Sequence, residues 1–494
     1  MGYYAIGIGG TGAKCLESLI HLAAAGMMPD KKQELHVLFV DPDKANGSLE
    51  RAVNTLECYR TFSNDTQLKQ PDLLQTEIDS VADPIFSPFD DVDDNKPVLE
   101  KYLGHAGLKL ADDGAADLFE VLYSKKERIT QLDKGFRGHP SIGAAVMAQT
   151  VLSGDGPWKN FLAKVAIDPT PKIFLAGSIF GGTGASGFPT IAKLIKIALD
   201  GKPINEQIGG ALILPYFTFI VPDGKDADGK GTDEKDELKA KAEHFLMNTQ
   251  AALQFYQNWI MGLKNPVYNA IYLMGDASQV AVKKFALGGG DQKNAQHFVE
   301  LYAALAAIHF FDNDGTTDGA DKTPQCFRLD RSNNPPEWKD MPDGDGGVTI
   351  QSKLRQLYYF SIAYLDVYKP LLDRQVSGND VPWSRDFFEG NKIPLKNART
   401  ERSLNNVRDY CEDFLVWFAN IQHSKDDDGK FGPIVDFNLT DIVNRISSDN
   451  AMRCLEAKGL NRLWRNMCSA KGKGDGTHIG KFLSALYRNC EKIR

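Results

Sequence analysis

The stretch Gly177-Ser178-Ile179-Phe180-Gly181-Gly182-Thr183-Gly184-Ala185-Ser186-Gly187 opens a helix near the middle of the chain. Before it stands Ile173-Phe174-Leu175-Ala176, short and apolar enough for a buried strand. After it, Thr190 to Ile197 carries apolar residues at helical spacing. Strand, glycine loop and helix together form the geometry in which bare backbone N–H groups point at an anion, and the helix dipole favours negative charge there. Each glycine costs about 0.5–1 kcal/mol in regular structure, so the cluster needs a reason. A phosphate-bearing ligand supplies one.

The amino terminus repeats the pattern. A strand from Tyr3 to Ile8 runs into Gly9-Gly10-Thr11-Gly12 and then a helix through Leu22. A second strand, Leu35 to Val40, ends in Asp41-Pro42-Asp43, so the unit is β-α-β with acids at a strand's carboxyl end, where open parallel sheets bind ligands. Gly7, Gly9 and Gly12 match a dinucleotide fingerprint with Asp41 as its ribose acid. A Walker A loop is excluded, because Ala13 separates Gly12 from Lys14 and Cys15 stands where Ser or Thr belongs. A dinucleotide fold has no need of a second glycine loop far downstream. Two such loops, the acidic corner and the loop Gly135 to Gly143 point instead to several strand ends converging on one polyphosphate.

Composition narrows the class. At 494 residues the chain is long for one core. A hydrophobic fraction of 42% beside 25% charged residues describes a soluble globular protein. The formal charge of −8 argues against non-specific nucleic-acid or anionic-lipid binding. No run reaches the roughly 18 apolar residues that span a membrane, and no charged leader precedes the first strand, so neither membrane nor secretion is expected. Seven scattered cysteines without C-x-x-C spacing fit reduced thiols in the cytoplasm.

Further along, Gly210 to Leu214 reads as a strand closing at Pro215-Tyr216-Phe217, and Asp223 to Asp236 as an exposed loop. A long helix is expected from Glu237 to Ile260, a strand at Ala270 to Met274 and a buried helix from Phe298 to Phe311. The Asp90–Asp94 run reads as a solvated loop, and the Asp312–Lys322 loop lacks the twelfth-position Glu of a calcium loop. Amphipathic helices are expected near Leu404–Ile421, Met452–Cys468 and Ile479–Ile493. The fold class is therefore α/β: a parallel Rossmann-like sheet flanked by helices (1–225), a loop and central helix (226–265), a second α+β domain (266–400) and a helical carboxyl-terminal extension (401–494).

On these residues the chain resembles the tubulin and FtsZ superfamily, and more closely its divergent bacterial branch. Ile6 to Gly12 is similar to the first phosphate loop of FtsZ, and Phe39 to Asp43 to the loop after the second strand. Gly135 to Gly143 is similar to the loop that senses the γ-phosphate, Gly181-Gly182-Thr183-Gly184 to the signature core, and Leu214 to Phe217 to the loop beside the ribose. The resemblance covers roughly Tyr3 to Phe219. It departs at Phe180, which replaces the first signature glycine, at Ala185 in the hydroxyl position and at Lys14 in place of Asn. It implies GTP or GDP held by Gly9, Gly10, Thr11, Lys14, Asp41, Asp43, Gly138, His139, Pro140, Gly181, Gly182, Thr183, Gly184, Ala185 and Pro215. Asn248 is expected at the base edge, Phe245 or His244 against the ring, and Mg²⁺ at Asp43.

The resemblance further implies head-to-tail self-association, a heterologous contact that builds open filaments. In FtsZ the next subunit supplies an acid from a Gly-x-x-Asn-x-Asp loop. Here Gly262-Leu263-Lys264-Asn265-Pro266-Val267 ends in Val267, so no catalytic residue is assigned, and Asp276 and Asp291 are the candidate substitutes. Three readings stay open. They are a self-assembling GTPase, a non-hydrolysing nucleotide-gated scaffold of a bacterial defence system whose partners meet the carboxyl-terminal helices, and an NAD-dependent oxidoreductase.

Overall fold

In the computed structural model, the described residues are 2–30, 32–67, 73–79, 83–90, 92, 97–149, 156–218, 245–258, 266–276, 279–282, 288–313, 324–328, 348–374, 381–389, 395, 397–422, 457–470 and 477–491. Their strands are β1 (Tyr3–Ile8), β2 (Leu35–Val40), β3 (Ile78–Asp79), β4 (Ile85–Phe86), β5 (Lys172–Ser178), β6 (Gln207–Ile213), β7 (Phe217–Thr218), β8 (Ala270–Met274), β9 (Val280–Ala281) and β10 (Gln325–Arg328). The main helices are α1 (Gly9–Ala24), α2 (Gly47–Thr66), α3 (Pro140–Ala148), α4 (Pro157–Ile167), α5 (Gly182–Leu199), α6 (Phe245–Tyr256) and α7 (Phe298–Asp312). They are followed by α8 (Val348–Ala363), α9 (Ala398–Gln422), α10 (Ala457–Ser469) and α11 (His478–Cys490). Short helices lie between Leu99 and Ile129.

Eight strands form one sheet in the order β10-β8-β6-β5-β1-β2-β3, with β4 also on β2, and every pairing is parallel. β1, β2 and β5 are buried along their whole length. Parallel strands need cover on both faces, which is why they read as continuous apolar runs rather than alternating ones. α1, α2 and α7 pack together on one face, and α3, α4 and α5 on the other. The strand order reverses between β1 and β5, since β2 lies on one side of β1 and β5, β6 and β8 on the other. That is the switch point where the loops following two neighbouring strands diverge and leave a crevice.

The strand expected in a second α+β domain, Ala270–Met274, belongs to this same sheet. It is β8, paired in parallel with β6 through Gly209↔Ala270 to Ile213↔Met274. Its run Ile271-Tyr272-Leu273-Met274 is apolar enough to need two covered faces, and α7 supplies one of them. β7 and β9 pair separately.

α6 is the described part of the expected central helix. Residues 237–244, including His244, and 259–260 lie outside the described residues. So do 223–236, 262–265, 314–322 and 340–347, as well as Asp91, Asp93 and Asp94 and residues 452–456. No helix among the described residues is long and apolar enough to cross a membrane.

The carboxyl-terminal helices are part of the core. α9 lies on α2 and α7 and presents Tyr410, Phe414 and Trp417 to the ring of His21 on α1. Trp417 Nε1 donates to Ser18 Oγ at 3.0 Å, and Thr55 Oγ1 donates to Asp413 at 2.6 Å. α8 and α11 pack on α9 in turn. The apolar face of α9, one of the carboxyl-terminal helices expected to meet partner proteins, is therefore covered by the chain itself.

Candidate functional site

α1 and α5 leave the carboxyl ends of β1 and β5, which are adjacent strands with Ile8 opposite Gly177. Both helices begin in their glycine loops. Neither has a capping side chain, and neither carries an acid in its first turn. Beside them, α2 is capped by Asn46, and α7 by a His297/Glu300 capping box. Two sets of orphan N–H groups and two positive dipole ends therefore meet at the switch point.

Two glycines show how the loops work. Gly9 adopts φ +72°, a left-handed turn that a Cβ would strain. At Gly12 a Cβ would lie 2.4 Å from the Ala176 carbonyl oxygen, so only glycine lets α1 sit this close to β5.

The loops border a cavity of about 180 Å³, on a scale where one water takes about 10–15 Å³. Of the expected residues, Gly9, Gly10, Thr11, Lys14, Asp41, Asp43, Gly138, Gly181, Gly182, Thr183 and Gly184 all line it. His139, Pro140, Ala185, Pro215 and Asn248 do not. His139 lies beside Glu127, 3.2 Å away, and Pro140 is the first residue of α3. Ala185 is buried within α5, its carbonyl accepting from Tyr256 OH at 2.5 Å. Pro215 is buried near the cavity residue Phe217, and Asn248 is half-buried one helical turn beyond Phe245, which does line the cavity.

Lys14 differs from expectation in its charge. Its ammonium pairs with Glu300 and donates to Tyr216 OH at 2.9 Å, and Tyr216 OH donates to Glu300 at 2.5 Å. All three are buried. Lys14 thus forms the cavity floor with its charge already balanced, because a buried ammonium without a counter-ion is too costly. Burial and the Glu300 charge push the Tyr216 phenol well above its ordinary range. The other cations at the wall are Lys134 and Arg137, on the loop before α3.

Asp41 and Asp43 face these loops. Asp41 accepts from the Asp43 N–H at 3.0 Å, and burial pushes its carboxyl up to about 8. Asp43 accepts from Gly289 N–H at 2.7 Å and Ala45 N–H at 3.2 Å. Burial raises its pKa too, and the charge of Asp133 adds to this. Two carboxylates whose ionised forms are disfavoured suit a divalent cation, which restores the charge balance. Mg²⁺ takes one or two carboxylates together with phosphate oxygens, so Asp41 and Asp43 are a donor set that could hold it.

Several wall residues escaped the sequence reading. Residues 288–297 form a strap across the start of α2. The Gln292 carbonyl accepts from Ser48 N–H at 3.1 Å, and the Asn294 carbonyl accepts from Arg51 at 2.9 Å. Gln296 donates to Glu17 at 2.6 Å. The run Gly288-Gly289-Gly290 was the available signal. Phe180, the departure from the signature, has a structural role: its ring lies 4.7 Å from Phe245 and 5.4 Å from Phe217, an aromatic wall beside the glycine loops.

Val267 is buried in the chain's own core, and Tyr268 OH next to it donates to the Phe188 carbonyl at 2.6 Å. Asp291 is exposed on the strap and Asp276 half-buried after β8, and neither lines the cavity.

No family model and no curated protein matches the chain. Among solved structures it is similar to CetZ2 from Haloferax volcanii, described as a GTPγS-bound protofilament. The match has 14% identity, covers 63% of this chain and 58% of that one, and has a TM-score of 0.27. The chain thus spans less than two thirds of that protein's length, and a score this low carries no argument.

Proposed function

We propose that the chain binds a guanine nucleoside triphosphate with Mg²⁺ at the carboxyl end of its sheet and self-assembles head to tail in response. One observation carries the nucleotide reading. Two uncapped, glycine-opened helices converge on one cavity across the switch point, with Asp41 and Asp43 facing them. The triphosphate lies against Gly9–Thr11 and Gly181–Gly184, with Lys134 and Arg137 balancing charge at its far end. Bound Mg²⁺ neutralises phosphate charge, and Asp43 and Asp41 hold it. The base stacks on the Phe180, Phe217 and Phe245 wall. Support for guanine and for self-assembly comes from the sequence resemblance.

Titration calorimetry with GTP, ATP and NADH, each with Mg²⁺, tests the ligand. GTP binding at one site per chain, weakened about tenfold or more in Gly181→Asp, is expected from placing a carboxylate where the phosphates sit. Binding of NADH alone returns the oxidoreductase reading. Light scattering and pelleting with GTP, with phosphate release followed in the same tube, test assembly. No assembly with GTP or a slowly hydrolysed analogue overturns that part.

The burial of Val267 favours a second reading for the turnover step. A side chain packed in its own core neither reaches a neighbour nor orients water, so the chain acts as a nucleotide-gated scaffold with little hydrolysis. Tight GTP binding without phosphate release is its expected signature.

A further inference from the structure

The opposite, amino-terminal end of the sheet holds a second cluster of chemistry-bearing side chains. Glu34, the residue just before β2, and His36 within it stand two residues apart, a spacing that puts both on one face where the extended chain enters the sheet. Asp79 on β3 is the cross-strand partner of His36, and Tyr4 on β1 is its partner on the other side. One ligand atom from each of Glu34, His36 and Asp79 lies within 4.8 Å of the others. The imidazole is fixed in place by the Tyr4 ring, stacked at 4.7 Å. The cluster lines an open groove of about 440 Å³, together with Lys32, Lys164 and Asp168.

The contacts within the cluster are those of ligands, not of a closed hydrogen-bond network. His36 Nε2 is 3.6 Å from Glu34 and Nδ1 is 3.6 Å from Asp79. Both distances are too long for hydrogen bonds. An ion takes only one of the two ring nitrogens, so one of these distances approaches the roughly 3.3 Å that separates two ligand atoms on a tetrahedral ion with bonds of about 2.0 Å, and the other carboxylate comes within the 4.8 Å spread of the three ligand atoms. Nδ1 is buried and makes no hydrogen bond, although His36 is only 8% exposed. The cation now beside Asp79 is Lys164, which pairs with it.

We infer that Glu34, His36 and Asp79 form a site for a divalent transition metal of the zinc class, open to the groove on its remaining side. An imidazole with two carboxylates is a donor set that suits zinc better than calcium or magnesium, which prefer oxygen alone. Lys164 is the competing cation, and the ion displaces it from Asp79. The site is remote from the nucleotide cavity and independent of the function proposed above.

The test is equilibrium dialysis of the metal-free full chain against zinc, with cobalt(II) absorption as a second readout. One zinc per chain is expected. Glu34→Gln, His36→Gln and Asp79→Asn should each weaken it about tenfold or more. Lys164→Gln should tighten it, a gain that a merely structural cluster does not produce. Bound cobalt should show visible ligand-field bands without the near-ultraviolet sulfur charge transfer that cysteine ligands give. Glu34 is half exposed, so Glu34→Gln keeps the test valid if another variant fails to fold, which circular dichroism would reveal. Zinc binding that is absent, unchanged in Glu34→Gln or accompanied by sulfur charge transfer overturns the site.

Discussion

Lys14 reaches the cavity floor with Glu300 already beside it, and this pairing makes testable demands. Breaking a buried ion pair by removing one partner leaves the other charge stranded, which typically costs about 3–5 kcal/mol. Glu300→Ala should lower unfolding free energy by that order in urea titration. Lys14→Met combined with Glu300→Leu should recover most of the loss, and a double variant no better than Glu300→Ala would refute the pairing. The glycines separate in the same way. Gly12→Ala drives a Cβ into the Ala176 backbone and should cost about 1–3 kcal/mol or more. Gly9→Ala meets only ordinary contacts and bears mainly the strain of its left-handed φ, about 1 kcal/mol. Thermal melts of the two variants should rank in that order. The glycine-loop residues that line the cavity were legible because glycine spacing is a local signal. Glu300 was not: it lies far along the chain from Lys14, and a buried acid on an apolar helix looks like any capping residue until the fold closes. Asn248, which does not line the cavity, was illegible for a related reason, since an amide on a helix carries no mark of the face it will occupy.

Strands and helices were read most accurately where the sheet is buried on both faces. β1, β2 and β8 begin and end at the residues their apolar runs suggest, and α7 extends by one residue. What apolar runs do not encode is which sheet a strand joins, so β8 was given to another domain. The strap 288–297 has no periodicity, and only its glycines hint at a close approach. At the α1–α9 contact two buried titrating groups oppose each other. Burial holds the His21 pKa down near 3, and burial with the Glu17 charge pushes Asp413 up to about 7. For His21, folded protein binds fewer protons than unfolded chain, so stability rises as pH climbs from about 3 to the usual imidazole range. For Asp413 the folded form binds more, so stability falls as pH climbs from the usual carboxyl range to about 7. Wild-type stability should change little across pH 4–6.5, while Asp413→Asn should uncover a rising slope of up to about 1.4 kcal/mol per unit. Urea titrations at stepped pH read this directly, and a flat Asp413→Asn profile would contradict the assignment.

Over the whole molecule, the sheet sets two chemically different ends, with glycine loops and acids at one and the Glu34, His36 and Asp79 groove at the other. Between them the carboxyl-terminal helices wrap the outer face of α1 and α2. Trp417→Ala, which empties a fully buried site against Ser18 and His21, should cost about 3–5 kcal/mol. A chain ending before α9 should be recovered mainly as aggregate, and soluble two-state melting of that fragment would show that the cover is dispensable. The same arrangement bears on synthesis. β1 is made well before its central neighbour, which begins at Lys172, and the helix that covers α1 is complete only at Gln422. At about 5–20 residues per second, β1 waits roughly ten to thirty seconds for β5, the strand on its other side from β2, and α1 waits longer for its cover. During that interval the nascent chain carries a strand with one edge unpaired and a bare apolar helix, so its yield in a cell depends on what shields the β1–α1–β2 unit.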